Sequence, residues 1–188
     1  ARYEESLALR QKLGDRRGIA TLLNQLGVAE YHQRNYSRAA TLHEESLTLQ
    51  AELNDKAGVA DSFYGLAKVS SAQGSQAQAY QFYTESLALR RELGDRAGIA
   101  ACLEAIAAVA EQSGRSQPAA RLLGAAQALR DAIGASLSPI DLLYCEQTIA
   151  AVRASLGERA YTAAWVEGQA MSQEQVVAYA LDRSHGWF

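Results

Sequence analysis

The sixteen-residue stretch ESLALRQKLGDRRGIA at 5–20 returns as ESLALRRELGDRAGIA at 85–100. A looser copy, ESLTLQAELNDKAGVA, lies midway at 45–60, and a shorter one, AAQALRDAIGA, lies at 125–135. The register is a constant forty residues: Leu9, Leu49, Leu89, Leu129, then Gly14, Asn54, Gly94, Gly134. A fixed period in this range marks a stacked array, in which one repeat cannot bury its apolar face alone and must pack on its neighbours. No other feature of the chain limits its fold as strongly.

Within each period the residues read as helix. Ala and Leu dominate the apolar content over Val, Ile and Thr, which favours helix over strand. A first helix is expected at 3–13, closed by Gly14-Asp15. The next runs over about 17–34, with Leu23, Leu26 and Val28 at helical spacing. Asn35-Tyr36-Ser37 is a turn with Ser37 as the expected N-cap, and a third helix follows to about Leu53. The pattern then repeats over 56–73, with Phe63, Leu66 and Val69 inward, and over 76–93. It repeats again over 96–113, with Leu103, Ile106 and Val109 inward, and up to Ile133. Gly74-Ser75 and Gly114-Arg115-Ser116 are the turns, and Pro118 suits a first helical turn. Asp15 and Asp95 are expected to cap the helices that follow them.

After Gly134 the repeat fades. Ser138-Pro139 opens a helix to Leu156, and Gly157 breaks it. The stretch 158–168 carries Tyr161 and Trp165 at i, i+4, and Ser172-Gln173-Glu174-Gln175 has the spacing of a capping box. The domain reading is therefore repeats over 1–135 (a partial helix 1–13, then units at about 17–53, 57–93 and 97–133). A helical capping segment at 136–183 and a tail at 184–188 follow. The chain opens inside a repeat, so it is expected to be a fragment of a longer protein.

The net charge of −3 is mild and there is no basic tract, so the overall field does not argue for nucleic acid. The two cysteines, Cys102 and Cys145, are far apart in helical patterns and read as small buried residues of a reducing compartment. No apolar run approaches the ~20 residues that span a bilayer, and no signal peptide is expected ahead of the first repeat. There is no phosphate loop, GxSxG or HExxH. His32 and His43 lack a second ligand at metal spacing; His43 reads as a packing residue at a helix crossing and His32 as solvated. Glu4-Glu5 and Glu44-Glu45 read as exposed charges. No catalytic residue, metal or cofactor is expected, and the chain is not read as an enzyme.

The helix pairs carry a further pattern. It runs Leu23-x-x-Leu26-Gly27, Tyr36-x-x-Ala39, Ser46-Leu47 in the first full repeat. It continues as Phe63-x-x-Leu66-Ala67, Ala79, Tyr83, Ser86-Leu87, and as Leu103-x-x-Ile106-Ala107, Ala119, Leu123, Ala126. This resembles the tetratricopeptide repeat in a forty-residue form. The small residues Gly27, Ala67, Ala107 and Ala39, Ala79, Ala119 let two helices approach closely. The resemblance implies an all-α fold, a right-handed solenoid of antiparallel helix pairs, closed by the C-terminal helical cap. The later stretches LLGAAQALRDAIGASLSP and AAVRASLGERAYTAAWVEGQAMSQEQVVAYAL look like the region that closes the repeat arrays of large bacterial signalling proteins, some of them LuxR-type transcription regulators. That likeness implies a bacterial, cytoplasmic setting and a role as sensor or scaffold arm. The chain holds no GxxxxGK[ST] and no helix-turn-helix, so ATPase and DNA-binding activity are not assigned to it.

A second stripe on the first helix of each repeat, at i, i+4, i+7, stays on one helix face. It reads Asn24, Val28, Tyr31; then Tyr64, Lys68, Ser71; then Glu104, Ala108, Glu111. In tetratricopeptide arrays this face lines the concave groove. The resemblance therefore implies a partner-binding groove with Asn24, Tyr31, Asp61, Tyr64, Lys68, Glu104 and Glu111 as its residues. Tyr31 and Tyr64 offer flat amphipathic area, Lys68 and Asn24 suit a carboxylate or a backbone, and Glu104, Glu111 and Asp61 suit a basic side chain. The expected partner is a protein or peptide, including another domain of the same full-length chain. Nucleic acid and membrane are not expected partners. Two alternatives stand beside this one: self-association through an apolar patch at Tyr161, Trp165 and Tyr179, and a small ligand that bridges repeats.

Overall fold

The computed structural model describes residues 9, 10 and 12–182. Most of the helix expected at 3–13, and the whole tail 184–188, fall outside the described residues; Leu9, Arg10, Lys12 and Leu13 are helical. The described residues form nine helices and no strand. They are α1 (Arg16–His32), α2 (Tyr36–Glu52), α3 (Lys56–Ala72), α4 (Gln76–Leu93), α5 (Arg96–Gln112), α6 (Ser116–Ile133), α7 (Pro139–Leu156), α8 (Glu158–Gln169) and α9 (Gln173–Leu181). Contacts group the chain into two compact units, Ala1–Leu89 and Arg90–Phe188. Consecutive helices pack on one another in each: α1 on α2 and α2 on α3 in the first, α5 on α6 and α7 on α8 in the second.

The helix ends explain why the stretch around residue 15 recurs. Gly14, Asn54, Gly94 and Gly134 all have left-handed φ, between 54° and 67°. Gly adopts this conformation without the Cβ clash that other residues meet; Asn54 is the one non-Gly residue in that register. Immediately afterwards Asp15, Asp55 and Asp95 turn their carboxylates onto the N–H of Gly18, Gly58 and Gly98, at 2.9, 3.1 and 2.9 Å. Each satisfies a donor that the first helical turn leaves unpaired. The backbone bond to Gly18 holds the Asp15 carboxyl below its ordinary range. Ser37 does not cap its helix as expected. α2 begins at Tyr36, Asn35 stands at the N-cap, and Arg34 takes the left-handed turn that Gly74 and Gly114 take one and two periods on. The Asn35 side chain donates instead to Glu30 Oε2, at 2.7 Å.

In the N-terminal unit the interior is built from Ala20, Leu22, Leu23, Ala39, Ala60, Leu66, Ala67, Val69, Ala79, Tyr83 and Leu87. Ala39, Ala67, Ala79 and Leu87 are completely covered. Serine stitches the layers at a fixed interval. Ser46 Oγ donates to the Ala20 carbonyl at 2.7 Å, and Ser86 Oγ to the Ala60 carbonyl at 2.8 Å. Ser62 adds a bond to Gln50 Oε1 at 2.7 Å. Phe63 stacks on Phe82 with ring centres 6.1 Å apart.

The C-terminal unit buries fewer polar side chains. Ile99, Leu103, Ile106, Ala107, Ala110, Leu122 and Ala126 are wholly buried. Burying one such large side chain contributes about 1.5–3 kcal/mol. α6 and α8 cross so closely that each needs a glycine at the crossing. A Cβ on Gly124 would sit 2.2 Å from the Trp165 carbonyl oxygen, and one on Gly168 would sit 1.9 Å from that of Arg121. The obstacle at both is backbone, which cannot rotate aside. The capping box expected at Ser172 is formed: Gln175 N donates to Ser172 Oγ and Ser172 N donates to Gln175 Oε1. No helix among the described residues is long and apolar enough to cross a membrane.

Candidate functional site

Four of the seven groove residues inferred from sequence lie in the N-terminal unit close to one another, with a fifth, Asp61, exposed on α3. The arrangement is built around His43 of α2, which is 1% exposed. Its imidazole lies between two helices that each present a glycine to it. A Cβ on Gly27 of α1 would come within 2.7 Å of the ring, and one on Gly65 of α3 within 2.4 Å. The flat ring fills a slot that only two side-chain-free positions can form. His43 Nδ1 is 2.6 Å from Asn24 Oδ1. An amide oxygen can only accept, so Nδ1 carries the proton and donates, and Nε2 is the bare nitrogen. Burial, reinforced by the positive charge of Lys68, pushes the His43 pKa down to about 4. The ring is therefore neutral at ordinary pH.

This bond fixes Asn24. With Oδ1 held by the buried ring, the amide NH2 forms the other, outer end of a half-buried side chain. Beside it, Lys68 Nζ lies 4.9 Å from the centre of the Tyr31 ring, a cation–π arrangement worth about 0.5–1 kcal/mol where solvent reaches it. Tyr31 also packs on Tyr36, with ring centres 5.8 Å apart. Tyr64 meets Tyr83 edge to face at 5.3 Å. The cluster thus offers an amide donor, an ammonium and aromatic surface, positioned by side chains that are themselves held.

Glu104 and Glu111 sit in the C-terminal unit, and both face structural partners. Glu104 receives two bonds from Arg130, at 2.6 and 2.7 Å, with the two side chains only 15% and 10% exposed. Two parallel bonds of this kind are the strongest ion-pair geometry available to a carboxylate. Glu111 accepts from Ser155 at 2.7 Å, and its second oxygen, Oε2, is buried with no hydrogen-bond partner among the described residues. Nearby Cys145 is held protonated: burial, with the Glu104 charge adding to it and Arg130 partly opposing, raises its pKa to about 11. It has no thiolate character for nucleophilic work.

The forty-residue register shows what changes. Positions 24, 64 and 104 pair differently with what stands nineteen residues on. Asn24 bonds His43, Tyr64 packs on Tyr83, and Glu104 turns to Arg130, Leu123 offering it nothing polar. Sequence reasoning placed Asn24 and Lys68 on stripes through helical spacing and register. It did not find the dependence of Asn24 on His43; the signal was there in the pair Gly27 and Gly65, each one turn from a stripe residue. No family model matches this chain, and no curated protein matches it in sequence.

Proposed function

We propose that the chain is a protein-interaction module of the tetratricopeptide kind, a right-handed solenoid of antiparallel helix pairs. In this reading it is an arm of a larger cytoplasmic bacterial signalling or transcription regulator. It takes an extended peptide or a protein segment against Asn24, Tyr31, Tyr64 and Lys68, with Asp61 at the margin. The observation that carries the reading is the Lys68–Tyr31 pair standing beside an Asn24 whose amide is fixed from behind by His43. Side chains already held in place lose little freedom on binding, so more of each contact appears as affinity. The mixed ammonium, amide and phenol chemistry suits a segment with carboxylate or main-chain acceptors. Glu104 and Glu111 are engaged within their own unit and leave the proposed contact set.

The test is capture from native lysate by the wild-type chain, by Tyr31→Ala/Lys68→Glu, and by Glu111→Gln, with melting curves confirming that all three fold. A protein kept by wild type and Glu111→Gln and lost by the double variant supports the assignment. A partner kept equally by all three removes it from this cluster.

A further inference from the structure

Helix α7 buries almost nothing of itself. Of its eighteen residues Val152 alone is fully covered, with Cys145, Ile149 and Leu156 half-buried along the same stripe. The opposite face is Ile140, Leu143, Tyr144, Gln147, Ala150, Ala151 and Ala154, all exposed and none charged. Ile140, Leu143 and Tyr144 are 46%, 51% and 51% exposed. Isolated apolar side chains at a surface need no explanation, whereas a contiguous uncharged face does.

The spacing of that face is specific. Ile140, Leu143, Gln147, Ala150 and Ala154 recur at three, four, three and four residues, the a and d positions of a heptad seam. In that register buried Val152 and half-buried Cys145 take the f positions, on the far side from the seam. Glu146 and Arg153 take the g positions, and Tyr144 and Ala151 the e positions. The large residues stand at the start of the helix and the small ones at its end. Two parallel copies would set Leu143 on Leu143, leave alanine facing alanine, and place the Glu146 charge against uncharged Ala151. Two antiparallel copies set Leu143 on Ala154 and Gln147 on Ala150, a large side chain on a small one at each layer, with Ile140 lying beyond the last of them.

We propose that two copies of this chain pair antiparallel through α7, Leu143 of each seated on the other's Ala154 and Glu146 of each opposite the other's Arg153. In an antiparallel pair g flanks meet g flanks, so opposite charges meet twice by symmetry. The layers are Leu143 on Ala154, Gln147 on Ala150, and their symmetry mates, with Tyr144 lying beside Ala151 of the second copy. Arg153 is available for this: its guanidinium stacks over Tyr161 at 4.6 Å and meets Glu158 at 3.3 Å, yet the side chain is 51% exposed. The four layers span about 17 Å of helix, a small interface, so the dissociation constant is expected on the order of 10 µM rather than nanomolar.

Sedimentation equilibrium of the whole chain over a hundredfold concentration range tests this. The expected result is a mass that climbs from monomer toward dimer. Leu143→Glu, at an exposed position, should weaken pairing at least about a hundredfold by burying an unpaired charge, with the melting curve unchanged. Ala154→Glu, also exposed, should do the same. Glu146→Arg should weaken pairing about fivefold, and Glu146→Arg/Arg153→Glu should restore it. A monomer at every concentration overturns the proposal. So does a dimer indifferent to both Leu143→Glu and Ala154→Glu, which would place the contact elsewhere. A charge swap that fails to restore pairing overturns the antiparallel register.

Discussion

Asn24 and Glu104 hold the same place in the forty-residue register, and the two compact units use that place in opposite ways. In the N-terminal unit the side chain is anchored from behind by a neutral buried ring, and its donor end remains outward. In the C-terminal unit the side chain is a charge, and it is consumed by Arg130 within the same unit. The helices at both places are built alike: an aspartate cap, an apolar inward stripe and small residues at the crossing. What differs is whether the polar group at the stripe is held for use or spent on internal packing. A repeat therefore fixes where a side chain stands, and the residue types around it decide what it can do.

The strongest way to break the contrast is at the α6–α8 crossing. Gly168→Ala or Gly124→Ala should each destabilise the C-terminal unit by about 3 kcal/mol or more, because the added Cβ meets a carbonyl oxygen on the facing helix. Denaturant melts followed at Trp165 read this directly. Next, Arg130→Met leaves Glu104 buried without its partner and should cost about 3 kcal/mol, whereas Arg130→Met/Glu104→Leu should recover most of the loss. Recovery in the double variant would show that apolar packing can replace the Glu104–Arg130 pair in the fold.

The N-terminal counterpart is a pH dependence. Unfolded, His43 titrates at about 6.5; folded, at about 4. Between those values the unfolded chain binds more protons. Stability is therefore full above about pH 6.5 and falls as pH drops through the window, by about 2–3 kcal/mol by pH 4. Around the ring stand Asn24 and Gly27 from α1, and Gly65 and Lys68 from α3, with Lys68 the positive charge opposing protonation. His43→Phe keeps a flat ring in the slot and should flatten the pH 4–6.5 limb in melting experiments. The smallest expected effect is at the caps. Asp55→Ala should cost about 1 kcal/mol in thermal melts and leave the pH 4–6.5 limb untouched, since only one helix-terminal donor is lost.

The fold was legible where local chemistry and register coincide. Gly14, Gly94 and Gly134 at left-handed turns, Asp15 and Asp95 at caps, and the Ser172 box follow from residue type and position alone. The N-cap stands at Asn35, two residues before the expected Ser37, because Arg34, rather than a glycine, takes the left-handed φ there, so the chain offers no visible mark of where the turn closes. Within the candidate site, Asn24, Tyr31 and Lys68 were legible as a stripe. Glu104 was read in the same register, but its bond to Arg130, twenty-six residues on, is one that ordinary helix patterning does not flag. Tyr161, read as surface for self-association, is 5% exposed under Arg153; the uncovered apolar area lies instead at Ile140–Tyr144. Periodicity shows which face of α7 differs from the other, but only the packing shows that the face carrying Cys145 and Val152 turns inward.

The contrast between the units rests on His43 being a buried, neutral donor that holds Asn24. Long-range proton–nitrogen NMR of the histidine ring, followed across pH, tests this most directly. The account predicts a His43 ring protonated at Nδ1 alone, with no titration until pH falls well below 5. A ring protonated at Nε2, or a midpoint near 6.5, would contradict it: Asn24 would then turn its oxygen outward, or the ring would be open to water.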